Sequence, residues 1–451
     1  MSSEWPITPL SDLITVKHGF AFKGEFFSDE PSPFQLTTPG NFAVGGGFQL
    51  GKGKYYSGPI FSDYVLRQGD LIVTMTDLSK AADTLGFSAI VPETRGTTWL
   101  HNQRVGRVLI KSVTQVHKDF LHYLMRTNDY RQWVVSGATG STVKHTSPDR
   151  ICTYQFPLPP LNTQRAIAEA LSALDNRITL LRETNATLED IAQALFKSWF
   201  VDFDPVRAKA ERLEPEGMDA ATAELFPDSF EESELGLLPA GWEVRPIGKL
   251  VEGIYDGPHA TPAESESGPI FLGIKNLTGT RLELANIRRI SENDWSKWTR
   301  RIEPTHGDIV FSYEATLGFF AVIPPEIRCC LGRRLALIRP HTEDGAGLFW
   351  FHQFISIPFQ QMLDKHTIHG ATVNRIALKA FPSYSVLNPP EALKLAFNDL
   401  VEPLWATIHS NQAHLNTLTQ LRDTLLPRLI SGQLRLPETE APHENMLSEA
   451  F

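Results

Sequence analysis

A chain of 451 residues is too long for one hydrophobic core, and its 42% apolar content is that of soluble globular proteins. No run approaches the ~20 apolar residues of a membrane span, residues 1–10 lack a signal-like pattern, and Cys152, Cys329 and Cys330 make no disulfide framework. A net charge of −10 disfavours nucleic acid at first, and the thiols are expected to be reduced, in a cytoplasmic protein with no membrane partner.

That charge is unevenly spread. Residues 1–160 carry 15 basic and 13 acidic groups, and residues 239–388 carry 16 and 15. The excess acid lies at 161–238, with 7 basic against 16 acidic groups, and at 389–451, with 4 against 8. Two near-neutral regions are therefore free to meet DNA.

The first of them, 1–158, has short β-rich runs at Asp70–Thr74, Phe87–Val91 and Val105–Ile110, broken by Gly, Pro, Asn and Asp. Within it, residues 46–53 imitate a phosphate-binding loop. The Ser or Thr that would follow the lysine is missing, and Tyr55-Tyr56-Ser57-Gly58 follows in place of a helix, so a glycine-rich hairpin or loop tip is expected. Pro159-Pro160 ends the sheet region and opens a helix.

Over 159–204 the apolar period becomes 3.5. Ile167, Leu171, Leu174, Ile178, Leu181, Asn185, Leu188, Ala192, Leu195 and Trp199 follow at 4-3-4-3 spacing, a coiled-coil seam with one polar break. Residues 205–240 read as an extended connector rich in Pro, Glu and Ala.

Residues 241–388 then repeat the first region. Gly69-Asp70-Leu71-Ile72-Val73 returns as Gly307-Asp308-Ile309-Val310-Phe311, Thr84-Leu85-Gly86-Phe87 as Thr316-Leu317-Gly318-Phe319, and Gly140-Ser141-Thr142-Val143 as Gly370-Ala371-Thr372-Val373. Pro389-Pro390 opens a second helix over 389–436, with Phe397, Leu404, Ile408, Leu415, Leu418, Leu425 and Leu429 apolar and Asn411 as the polar break. Residues 437–451 read as an acidic tail. The expected fold is α+β: two sheet-based domains in tandem pseudo-repeat, separated by two long antiparallel helices forming a coiled coil.

Pseudo-two-fold symmetry with the sheet domains at opposite ends requires the antiparallel sense. An a position then faces a d position. Asn185 falls at a and Asn411 at d, and if they meet, facing positions sum to 596. Ile178 then faces Leu418, Leu181 faces Leu415, Leu188 faces Ile408, and Trp199 faces Phe397. Arg422 alone breaks the pattern, opposite Leu174, and its stem is expected to snorkel outward.

Catalytic patterns do not assemble from spacing. Asn388-Pro389-Pro390-Glu391 has Glu391 where an adenine methyltransferase places an aromatic residue, no lysine has Asp or Glu two places before it, and the histidines form no paired ligand set. Should the near-neutral regions meet DNA, the candidate contacts are polar and basic residues in glycine-bearing loops. In the first region these are Lys17, His18, Lys23, Lys52, Lys54, Arg104, Thr142, Lys144 and His145. In the second they are His259, Thr261, Lys275, Asn276, Arg333, Arg334, Thr372, Asn374 and Arg375.

Nearly the whole chain resembles the specificity subunits of type I restriction–modification systems. The resemblance rests on the tandem unit, "PLPPLNTQRAIAEALSALDNRI" at 157–178, "LFKSWFVDFDPVRAKAE" at 195–211, "DGPHATP" at 256–262, "ESELGLLPAGWEV" at 232–244 and "LRDTLLPRLISGQLRL" at 421–436. Glu391-Ala392-Leu393 departs from it where the family keeps a Gln like Gln164. The resemblance implies two target-recognition domains, each reading one half of a split double-stranded DNA site, with the helices as spacer. It further implies two docked modification subunits that carry S-adenosylmethionine, and restriction subunits that carry ATP and magnesium. No cofactor and no catalysis are then expected in this chain. About 33 residues of helix span ~50 Å, roughly one and a half turns of DNA, so unread base pairs are expected mid-site. A methyltransferase or type II enzyme fragment would need a catalytic motif. A scaffold would lack sequence-specific DNA affinity.

Overall fold

The computed structural model describes residues 4–79, 81–233, 236–284, 287–341, 347–370 and 373–436. The candidate Thr372 and the acidic tail lie outside the described residues. The chain divides into two units, residues 1–179 with 417–451, and residues 180–416.

The first unit is built on β1 (Ile14–His18), β2 (Phe34–Thr37), β3 (Leu71–Thr74), β4 (Ser88–Ile90), β5 (Thr98–His101) and β6 (Val105–Ile110). An antiparallel sheet runs β1-β6-β3-β4, while β2 pairs parallel with β5 in a second sheet. Leu71–Thr74 is buried throughout, which is why this stretch is an unbroken apolar run rather than an alternating one. Helix α1 (Lys118–Leu124) follows, then the β7 hairpin strand (Lys144–His145) and the 40-residue helix α2 (Leu161–Phe200).

The second unit repeats this plan. Strands β8 (Val251–Asp256), β9 (Ser265–Leu272), β10 (Ile309–Ser312), β11 (Phe320–Val322), β12 (Cys329–Leu331) and β13 (Leu335–Pro340) give a β8-β13-β10-β11 antiparallel sheet and a parallel β9/β12 pair. Helix α3 (Gly347–Ile355), the β14 strand (Arg375–Ile376) and the 40-residue helix α4 (Glu391–Ile430) complete it. Cys329 and Cys330 lie buried in β12 as free thiols, both pushed up to about 12 by burial.

The repeated Gly-Asp has one structural cause. Gly69 and Gly307 adopt φ of +82° and +88°, a turn that other residues enter at a cost. The aspartate that follows takes the backbone N–H three residues earlier and an arginine from the neighbouring strand. Asp70 accepts from Arg67 N at 2.8 Å and Arg107 Nη2 at 3.0 Å, and Asp308 accepts from Thr305 N at 2.7 Å and Arg339 Nη2 at 2.6 Å.

The described residues of 205–240 are folded rather than extended. They form short helices at Asp204–Ala210 and Ala220–Glu224 and a Phe230–Ser233/Gly236–Pro239 hairpin. Val206, Phe226 and Leu238 are buried in the second unit's core, which gives this Pro- and Glu-rich stretch its apolar anchors.

In the first unit, Ile167, Ala168 and Leu171 of α2 share a core with Leu426, Leu429 and Ile430 of α4. In the second, Trp199 lies 6.0 Å from Phe397 between ring centroids, and Asn411 Nδ2 donates to Asn185 Oδ1 at 2.8 Å. Both contacts obey the sum of 596, and in both units α4 descends as α2 rises. Leu171, Ile178, Leu181, Asn185, Ile408 and Leu415 are buried, while Leu174, Leu188, Leu404 and Leu418 are half-buried. Arg422 does not snorkel outward. Its side chain is 16% exposed and its Nη1 donates to Asp175 Oδ1 at 2.9 Å, because an acid flanking the seam offers a better partner than water.

Candidate nucleic-acid interface

In the first unit's antiparallel sheet, β6 runs against both β1 and β3, so the C-terminal ends of β1 and β3 meet the N-terminal end of β6. His18 stands opposite Gly106. Arg104 precedes β6, and its carbonyl accepts from Met75 N at 3.0 Å. The β7 hairpin strand pairs with Thr76–Asp77, and Thr76 Oγ1 lies 3.1 Å from His145 Nδ1. Thr142 is exposed on the hairpin tip. Gly140 there has φ +94°, and a Cβ on it would sit 2.0 Å from Val143 O, so only glycine allows this tight turn. His18, Arg104, Thr142, Lys144 and His145 are thus gathered at one end of the sheet.

The second unit does the same with different side chains. Asp256 stands opposite Ala336, Arg334 precedes β13 and its carbonyl accepts from Tyr313 N at 3.1 Å, and Glu314 bridges to Arg375 of β14. His18 and Asp256, Arg104 and Arg334, Thr76 and Glu314, and His145 and Arg375 occupy matching places. His259 Nε2 lies 3.2 Å from Asp256 Oδ2. Thr261, Arg333 and Asn374 are exposed nearby in sequence, and Asn374 O accepts from Ala315 N at 3.0 Å.

Other candidates fall elsewhere. Lys17 is occupied, donating to Asp63 O at 3.2 Å with its ammonium 4.8 Å from the Tyr64 ring centroid. Lys23 pairs with Glu25 at 3.6 Å, Lys54 lies 4.2 Å over the Phe27 ring, and Lys52 and Lys275 are exposed. Asn276 is a structural residue. It is buried, its Oδ1 accepts from Gly273 N at 3.0 Å, and its Nδ2 donates to Glu283 O at 3.0 Å. Asn41 does the same in the first unit, accepting from Thr38 N at 2.8 Å and donating to Leu50 O at 2.9 Å. That repeat was there to be read in the sequence.

Two groups escaped sequence reasoning. Arg301 reaches Asp256 from the loop before β10 and pairs with its carboxylate. The other group ties the glycine loop of the first unit to α2. Arg126 Nε donates to Gly45 O at 2.8 Å, and Arg126 Nη1 donates to Asp175 Oδ2 at 2.5 Å. Tyr123 OH donates to the same oxygen at 2.9 Å. Burial alone would raise the Asp175 carboxyl, but the Arg126 charge and the Arg126 and Arg422 hydrogen bonds outweigh it and hold it below its ordinary value. His122 is driven down to about 3 by burial, then by the Arg126 charge. Arg126 Nη1 lies 3.4 Å from His122 Nε2, so Nε2 accepts and Nδ1 carries the proton, which faces Ser88 Oγ at 2.9 Å.

In the second unit the matching histidine, His352, accepts at Nε2 from Trp405 Nε1 at 3.2 Å and is lowered to about 3 by burial. Trp405 occupies the place of Asp175. The tether to α2 there is Glu189, which accepts from Arg281 Nε at 2.6 Å and Thr280 Oγ1 at 3.2 Å. Gln164 caps α1 by accepting from His117 N at 2.8 Å. Lys394 replaces it in α4, and Asn398, one turn on, accepts from Phe349 N at 2.8 Å.

Among the described residues no group of His, Cys, Asp and Glu is placed to hold a metal, and no helix is long and apolar enough to cross a membrane. Residues 2–190 match the type I restriction modification DNA specificity domain. The chain is 26% identical over 329 residues to the type I restriction enzyme MjaIX specificity subunit of Methanocaldococcus jannaschii, covering 72% of this chain and 70% of that one. It is 24% identical over 443 residues to the EcoBI specificity subunit of Escherichia coli, covering 95% and 86%. Its fold is similar to that of the S subunit of a type I restriction–modification system from M. genitalium, with a TM-score of 0.57 at 14% identity over 95% of this chain and 96% of that one.

Proposed function

We propose that this chain, which belongs to the family of type I restriction–modification specificity subunits, reads a bipartite double-stranded DNA sequence, one half with each unit. The observation that carries the reading is the matched sheet end. Two copies of one scaffold share an arginine at one place, Arg104 and Arg334, and present different side chains at three others, His18, Thr76 and His145 in one and Asp256, Glu314 and Arg375 in the other. Different side chains on one frame recognise different base edges, so the two half-sites differ.

The 40-residue helices act as the ruler between the half-sites and as the docking frame for two modification subunits. Methyl transfer from S-adenosylmethionine takes place in those subunits. Translocation and cleavage, with ATP and magnesium, take place in restriction subunits, and the assembly works in the cytoplasm. This chain contributes recognition and no catalytic group. Exchanging residues 1–155 for the same region of a relative, then mapping methylated adenines made by the assembled complex, tests the reading. One half of the motif is expected to change and the other to persist; a change in both halves overturns it.

A further inference from the structure

The second unit's sheet end differs from the first in one respect that bears on which base it reads. Around Tyr313 two arginines are each met by a carboxylate. Arg301 Nη1 pairs with Asp256 at the end of β8, and Arg334 Nε lies 3.5 Å from Glu314 Oε2. Tyr313 is 7% exposed, its hydroxyl has no hydrogen-bond partner among the described residues, and the charges of Asp256, Glu314 and Arg301 all act on it. Arg334 also holds φ at +75°, a conformation that costs a non-glycine residue free energy and that clusters at functional sites.

A carboxylate beside DNA is repelled by the phosphates unless a cation covers it, so Asp256 and Glu314 do not serve backbone binding by themselves. Asp256 instead takes Nη1 of Arg301 in a hydrogen-bonded ion pair, and Glu314 stands 3.5 Å from Arg334 Nε, attracting the guanidinium without a hydrogen bond to it. In Arg301, Nε and Nη2 have no partner among the described residues, nor do the two terminal nitrogens of Arg334. Two fixed parallel N–H groups are what the O6 and N7 acceptors of guanine take in the major groove. The first unit has no such device, since His18, Thr76 and His145 stand where Asp256, Glu314 and Arg375 stand.

Resting on the bipartite reading above, we infer that Arg301 and Arg334 read guanine in the half-site of the second unit, with Asp256 and Glu314 as the positioning residues that aim them. The test uses the chain assembled with its modification subunits, wild type and the variants Arg301→Ala, Arg301→Lys, Arg334→Ala and Asp256→Asn. Methylated motifs are mapped, and affinity for the mapped site is measured against salt.

Arg301→Ala and Arg334→Ala should each relax one guanine position in one half-site, with roughly tenfold to hundredfold loss of discrimination there. The other half-site and the salt dependence should stay as they were. Arg301→Lys should fail to restore the position, because an ammonium keeps the charge and loses the fork. Asp256→Asn should relax the same position as Arg301→Ala with an unchanged melting temperature, which a merely structural role would not produce. Uniform weakening with a shallower salt slope, rescued by Lys, would make these phosphate contacts and overturn the inference. A wild-type complex with a defined motif that all four variants leave unchanged overturns it alone. A wild-type complex with no defined motif overturns the bipartite reading itself.

Discussion

Asn185 and Asn411 face each other across the two long helices of the second unit, joined by a 2.8 Å hydrogen bond from Asn411 Nδ2 to Asn185 Oδ1. Asn185 Nδ2 also points at Ile408 O at 3.4 Å. The pair sits between apolar seam residues, so each amide depends on the other. Asn185→Leu should cost about 1–3 kcal/mol by stranding Asn411 in hydrocarbon. Leucine at both positions should recover most of that loss while relaxing the register the pair enforces. Urea unfolding of the two single variants and the double variant reads the coupling directly; additive losses would mean that the two amides do not depend on each other.

Asp175 is shared by two arginines in the first unit. Arg126, whose side chain is 5% exposed, and Arg422 both spend donors on it. Asp175→Ala leaves a buried guanidinium uncompensated, at about 3–5 kcal/mol. Because Arg126 also holds Gly45 O, the backbone amides of residues 43–48 should exchange hydrogen faster in this variant. Loss of stability without faster exchange in that loop would break the proposed tether.

Buried histidines predict a pH dependence. His101 is lowered to about 4, and His122 and His352 to about 3, with burial the first cause in each. The unfolded chain takes up protons near pH 6.5 while the folded chain does not, so stability is whole above about 6.5 and falls as pH drops towards 4. Each such imidazole costs about 1.4 kcal/mol per pH unit within that window. Unfolding midpoints at pH 7.5, 6.5 and 5.5 check this, and a flat profile would remove the neutral assignment.

The helices were legible because a 3.5-residue period survives any choice of surface residue, and because two polar breaks allowed only one antiparallel register. The Gly-Asp repeat was legible because it builds a turn and an ion pair within one short segment. The sheet ends were not, since His18, Arg104 and His145 converge only after three strands pair, and residue type in a loop does not record that. Asn276 misled because a polar residue in a glycine-bearing loop looks like a ligand-reading group, and its twin Asn41 marks it as a backbone pin. Arg301 and Arg126 were missed for a related reason. Their partners, Asp256 and Asp175, lie 45 and 49 residues away in sequence, and the matching places in the other unit hold His18 and Trp405, so the repeat does not mark them as acids.

Lys144 tests the phosphate side of recognition. It lies in β7 opposite Asp77, but Asp77 is already satisfied by Ser79 N at 2.6 Å, Thr84 N at 2.5 Å and Thr84 Oγ1 at 2.7 Å, so it makes no claim on the lysine. The hairpin that carries Lys144 is held by Gly140 and by the Thr139–His145 backbone pairing. Lys144 is half-buried and its ammonium has no ion-pair partner among the described residues, which leaves its charge available to a phosphate. A single lysine–phosphate contact releases about one counterion and adds about −0.9 to the slope of log affinity against log salt. Lys144→Ala in the assembled complex should weaken matched and mismatched DNA alike and make that slope shallower by about that amount. Selective loss for one base pair at constant slope would assign Lys144 to base reading instead.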